Sequence, residues 1–119
     1  MLSAEAAAEV RAALEVRRRE AGERLAGLRA QFAEVVDAAA GANVDDEHDP
    51  EGATIAFERS QVDALARRAQ QDLEDVAAAL ERFEDGSFGA CEVCGEAIPL
   101  ERLRARPMAR TCVACASRR

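Results

Sequence analysis

A mainly α protein, built as a long antiparallel coiled-coil hairpin followed by a small loop-rich unit, is the fold this sequence predicts. Three observations carry that expectation. No proline occurs before Pro50, apolar residues recur at alternating steps of three and four in two long stretches, and Gly, Pro and all four cysteines crowd into the segment after Asp85. Composition agrees. Of 119 residues 33% are charged and 49% hydrophobic, but 28 are alanine, Trp and Tyr are absent and Phe numbers four. Alanine buries little area, so a thick globular core is out of reach and long thin helices or a bound metal must help.

The first helix is expected from Ser3 to about Ala40. Ser3 supplies an N-cap, Glu5 sits in the first turn, and Gly41 falls at the C′ position. Its apolar seam reads Val10, Leu14, Ala21, Leu25, Leu28, Phe32 and Val35, with one eleven-residue step between Leu14 and Leu25 that relaxes a left-handed supercoil locally. A second helix is expected from Asp49-Pro50-Glu51, where Asp caps, Pro takes the position whose N–H has no partner anyway, and Glu meets the positive end of the dipole. It runs to about Glu84 along Val62, Ala66, Ala69, Leu73, Val76, Leu80 and Phe83. Each helix of about 35 residues spans about 50 Å. A compact helical bundle would need more apolar residues than two narrow seams provide. The domain reading is therefore residues 1–85 as hairpin, with a tip at 41–53, and residues 86–119 as a separate unit.

Charge is divided the same way. All sixteen basic residues are Arg and the formal net charge is −7, which argues against general or sequence-specific nucleic-acid binding, since that rests on neutralising phosphates. Residues 1–90 hold twenty acids and ten arginines, whereas 91–119 hold three acids and six arginines. No apolar run of membrane-spanning length is present, and Met1-Leu2-Ser3-Ala4-Glu5 has neither the basic nor the apolar region of a signal peptide. A cytoplasmic location is expected.

Cys91-Glu92-Val93-Cys94 and Cys112-Val113-Ala114-Cys115 are two C-x₂-C pairs with seventeen residues between them. Each pair can wrap two thiolates onto one side of a tetrahedral ion, and the connector is long enough to fold back and close it. Gly95 suits a knuckle in which the backbone nears sulfur. Disulfides fit an export compartment instead, a redox CxxC needs a βαβ setting, and an iron–sulfur cluster is the remaining alternative for four thiolates. The assignment is one structural Zn²⁺ held by Cys91, Cys94, Cys112 and Cys115 in a small four-cysteine zinc-finger, zinc-ribbon-like unit. Four thiolates leave no open position for catalysis.

The run Glu84-Asp85-Gly86-Ser87-Phe88-Gly89-Ala90-Cys91-Glu92-Val93-Cys94-Gly95-Glu96-Ala97-Ile98-Pro99, followed by Arg102-Leu103, Ala105, Pro107, Cys112 and Cys115, resembles the C4-type zinc finger of the DksA/TraR family. The resemblance is close over the finger and looser over the helices. It implies a transcription regulator, not an enzyme, that binds bacterial RNA polymerase by placing the hairpin in the secondary channel with the finger outside. It also implies that acidic tip residues come near the catalytic magnesium and change open-complex lifetime without cleaving a bond.

On that resemblance the tip residues facing the polymerase active site are Asp45, Asp46, Glu47, Asp49 and Glu51. The family's Asp-x-x-Asp-x-Ala pattern is altered: Asp46 and Asp49 keep the separation, but Glu51 takes the alanine place, and counting from Asp49 puts Gly52 where the second Asp belongs. Only Ala116 to Arg119 follow the last cysteine, so no ppGpp site is carried over. Arg102, Arg104, Arg106 and Arg110 are candidate polymerase contacts, with ordinary solubilising charge as the alternative. Arg17, Arg18 and Arg19 read as a solvated flank pairing with Glu15, Glu20 and Glu23, His48 as exposed, and Phe83 with Phe88 as the joint between helix and finger. A monomer is expected. The competing functional reading is a zinc-finger adaptor whose coiled coil engages another protein or a second copy, which apolar residues exposed outside the seams would favour; Val16 and Val36 lie off the seam.

Overall fold

The computed structural model describes residues 2–41 and 50–118. Among these residues four helices follow one another, α1 (Ala4–Gly41), α2 (Pro50–Asp85), α3 (Leu100–Ala105) and α4 (Val113–Ala116). Among the described residues there is no strand, only a single antiparallel bridge between Ala90 and Ala97. The mainly α architecture, two long helices and then a four-cysteine cluster, is the one the sequence predicts.

The helix ends follow local chemistry. Ser3 caps α1: its Oγ accepts from the amide of Ala6 at 3.1 Å and its carbonyl accepts from Ala7 at 2.8 Å, satisfying donors that have no partner inside the helix. The far end differs by one residue, because α1 continues through Gly41 where the sequence places Gly41 just outside. α2 opens on Pro50, the position where a missing N–H costs nothing. It ends where Gly86 turns to φ 79°, and the amides of Ser87 and Phe88 both reach back to the Arg82 carbonyl at 3.0 Å. Asp85 finishes the turn, its carboxylate accepting from the Ser87 amide at 2.9 Å.

The chain divides into two compact units, one of Glu20–Asp72 and one of Met1–Arg19 with Leu73–Arg119. In the first, the two helical segments run antiparallel, with Arg24 paired to Asp72 at 3.6 Å and the Arg59 guanidinium over the Phe32 ring at 5.9 Å. Its buried seam is Ala21, Leu25, Val35, Val62 and Ala69, all on the predicted lines. A groove of about 290 Å³ lies beside Leu25, Phe32 and Ala66, where an alanine leaves room unfilled. Phe57, 71% exposed, and Leu65 stand outside the seam, as do Val36 in this unit and Val16 in the other.

The second unit holds the better core. Val10 and Leu14 of α1, Val76 and Ala79 of α2, and Cys91, Ile98 and Leu103 beyond them form one buried cluster. Here too the helices are antiparallel, Arg11 meeting Glu84 at 3.2 Å while Arg17 and Asp75 border one groove. The Phe83 and Phe88 rings stack at 3.9 Å with an interplanar angle of 14°, the joint the sequence indicates. Ala79, fully buried, is a core residue the seam reading passes over, because the finger packs beside the seam rather than on it. Full burial of a leucine such as Leu14 or Leu103 contributes about 1.5–3 kcal/mol, which makes this cluster the main apolar support of the metal-bearing segment.

Candidate metal centre

The first knuckle is built by backbone hydrogen bonds that only a tight turn can make. Cys91 N donates to Glu96 O at 2.8 Å and Gly95 N to Cys91 O at 2.9 Å, with Gly95 at φ 78°, a left-handed conformation that a Cβ would strain. Ile98 N donates to Gly89 O at 2.7 Å, closing the ring around the Ala90–Ala97 bridge. The second knuckle is the start of α4. Cys112 is its N-cap residue in extended conformation, and Ala116 N donates to Cys112 O at 2.9 Å. A backbone hydrogen bond from Glu92 N to Arg110 O at 2.9 Å helps tie the halves together.

These turns bring the four sulfurs into one cluster. The Sγ atoms of Cys91, Cys94, Cys112 and Cys115 all lie within 4.8 Å of one another, none is in a disulfide, and Cys94 Sγ stands 3.8 Å from Cys112 Sγ. A tetrahedron with zinc–sulfur bonds of about 2.3 Å has edges of about 3.8 Å, so that sulfur pair already has the spacing of zinc ligands. The proton equilibria point the same way. Peptide N–H groups, that of Cys94 foremost and then those of Cys112 and Val93, hold the Cys91 thiol down to about 6 against the cost of burial. Cys115 is pushed up to about 12, chiefly by its contact with Cys112 and then by burial. One thiolate is stabilised by the fold, and Cys115 resists joining it until a cation relieves the repulsion. The donor set fits one structural Zn²⁺ and leaves no position for a reacting ligand.

The arginines between the cysteine pairs take different roles. Arg102 donates from Nε to Thr111 O at 2.8 Å, holding the segment that leads into the second knuckle. Arg104 forks onto Glu9 at 2.7 and 3.2 Å, and holds the Glu9 carboxyl below its ordinary value, mainly through that hydrogen bond. Arg106 and Arg110 border a groove of about 790 Å³ with Arg17, Arg102, Arg118 and Asp75. Sequence reasoning does not find Arg17 or Arg118 in this setting, because no periodicity links them to the finger. Nearby, Arg82 lies 5.8 Å above the Phe88 ring and is held below its ordinary value by burial first and by the charge of Arg110 second. Asp45, Asp46, Glu47 and Asp49, with His48, lie outside the described residues, and Glu51 is described only as a position in α2. The flank expectation is met at Arg18, paired with Glu15 at 2.6 Å.

Residues 86–119 match the prokaryotic DksA/TraR C4-type zinc finger. The RNA polymerase-binding transcription factor DksA of Escherichia coli K12 is 40% identical over 48 residues, 40% of this chain and 32% of that one. Among solved structures, transcription factor DksA2 from Pseudomonas aeruginosa superposes with a TM-score of 0.82 at 25% identity, covering 98% of this chain and 84% of that chain. The DnaK suppressor protein from Agrobacterium tumefaciens C58 gives 0.58 at 33% identity, covering 93% and 91%. The stretches matched in curated relatives span less than half of each relative's length, between 28% and 45% for the first four. With its finger matched, its four sulfurs gathered within 4.8 Å of one another and its fold shared with these structures, the chain belongs to the DksA/TraR C4-type zinc-finger family.

Proposed function

We propose that this protein is a transcription regulator that binds bacterial RNA polymerase and inserts the hairpin of residues 1–85, tip first, into the secondary channel, while the finger of residues 86–119 stays outside. The observation that carries this reading is the fold likeness to a transcription factor over 98% of this chain, together with an acidic run, Asp45-Asp46-Glu47-His48-Asp49, between the two long helices. Five carboxylates, counting Glu51, are tolerable together only in water or near cations, and a polymerase active site supplies a divalent cation. In this reading Asp45, Asp46, Glu47, Asp49 and Glu51 act on that site electrostatically, with no bond made or broken by the protein. Arg106 and Arg110, beside the groove at the finger, contact acidic polymerase surface; Arg102 and Arg104 support them through Thr111 and Glu9. Zinc, held by Cys91, Cys94, Cys112 and Cys115, contributes folding free energy and nothing to reactivity. The protein works as a monomer in the cytoplasm, where polymerase acts.

Binding of the zinc-loaded protein to core RNA polymerase, with and without a competing secondary-channel factor, tests this. Competed binding that weakens when Asp45, Asp46 and Asp49 are changed together supports the channel reading, whereas absence of binding at micromolar polymerase overturns it. A second reading has one specific observation in its favour: Phe57, 71% exposed on α2, suits an adaptor that uses its coiled coil to grip another protein. Phe57→Ser would then abolish partner capture and leave polymerase binding unmoved.

A further inference from the structure

We infer that the Glu20–Asp72 unit is a separately opening, low-stability part of the hairpin, and that Gly22 and Gly27 set how readily it opens. Both glycines lie in the interior of α1, where each weakens a helix relative to alanine by freeing the unfolded backbone. Neither is required by its surroundings. A Cβ added at Gly22 or at Gly27 meets nothing within 4 Å, and neither has the positive φ that marks Gly86, Gly89 and Gly95. The glycines of the finger are there for geometry; Gly22 and Gly27 have no geometric reason.

The packing around them rests on small side chains. Among the described residues, two of the five buried apolar positions of this unit, Ala21 and Ala69, are alanines, a groove of about 290 Å³ lies open beside Leu25 and Phe32, and Phe57 of α2 faces solvent. No metal-ligating cluster braces it among the described residues. The other unit is supported by seven buried residues in one cluster and by the four-cysteine site. An element whose buried side chains are small and that no metal site braces opens at a free energy below that of global unfolding, as a cooperative group. The division between the two compact units therefore also separates two levels of stability, with the glycines on the weaker side.

Native-state amide hydrogen exchange on the full, zinc-loaded chain is the test, and it involves no polymerase, so its outcome is independent of the proposed function. Amides of residues 24–38 and 56–70 should exchange together, at least tenfold faster than those of 10–17 and 75–83. Gly22→Ala and Gly27→Ala should each slow exchange in the first group by about fivefold, and together by about twentyfold. Equal protection along the whole of α1 in the unmodified protein would overturn the inference. So would alanine variants that leave exchange in the first group unchanged.

Discussion

Replacing Leu103 by alanine tests whether the finger and the helix base share one core. Leu103 is fully buried in the cluster that also holds Val10, Leu14, Val76, Ala79, Cys91 and Ile98, so truncation removes three carbon atoms from a site lined by both helices and the first knuckle. At about 0.8 kcal/mol per buried CH₂ the transfer loss is about 2.4 kcal/mol, and the cavity left behind takes the cost toward 3–4 kcal/mol, inside the range of 2–5 for buried leucine. Zinc binding and folding of such a unit are coupled, so the loss should appear in metal affinity. At 1.4 kcal/mol per decade, zinc should bind roughly 150- to 700-fold more weakly in a chelator competition. Leu65→Ala, at a position 43% exposed, serves as the control and should change affinity by less than threefold. A Leu103→Ala protein that holds zinc within threefold of the original would refute the shared-core reasoning.

Three further outcomes follow from the same structure. Chelating the zinc should remove more than the helical signal of α3 and α4, because the base of α1 and α2 loses its packing with Cys91, Ile98 and Leu103; circular dichroism should fall by more than the roughly one-eighth those short helices represent, and an unchanged amide spectrum at Val10 and Val76 would contradict this. Glu9 is held below the ordinary glutamate value, first by the Arg104 hydrogen bond. A depressed carboxyl contributes stability above its unfolded pKa that is lost as pH falls through its folded one, so the carboxyl should titrate below the ordinary glutamate range by NMR and return to it in Arg104→Gln. Gly89→Ala places a Cβ at φ +89°, 3.4 Å from Leu2 Cδ1, and should cost about 1–2 kcal/mol, read as a lower urea midpoint of the zinc-loaded protein.

Periodic features of this fold are legible in the sequence and aperiodic ones are not. Val10, Leu14, Ala21, Leu25, Val35, Val62, Ala69 and Val76 are buried as their spacing predicts, because a seam of alternating three and four has one geometric solution. Ser3 and Pro50 mark helix starts for reasons confined to one turn. The four cysteines likewise announce their cluster, since C-x₂-C is a local shape that needs only one closure. What stays hidden is set by contacts between distant segments: Ala79 buried under the finger, Leu103 and Ile98 joining Val10 and Leu14, Arg104 reaching Glu9, and Arg17 bordering a groove with Arg106. Each depends on where the finger docks, and no residue count along the chain encodes that position. Phe57 is the opposite case, a large apolar side chain that burial statistics place inside and this fold leaves in water.

Because the shared cluster draws on segments far apart in the chain, its completion waits on synthesis. Leu14 leaves the ribosome roughly 90 residues ahead of Leu103, a delay on the order of 5–20 s at ordinary elongation rates. Throughout that interval the first turns of α1 present Val10 and Leu14 with no finger to cover them, and the cysteines that take up zinc emerge only after both long helices. Metal supply once the finger has emerged, rather than helix formation before it, then decides whether the nascent protein completes its core or is left with an uncovered apolar stripe for chaperones to hold.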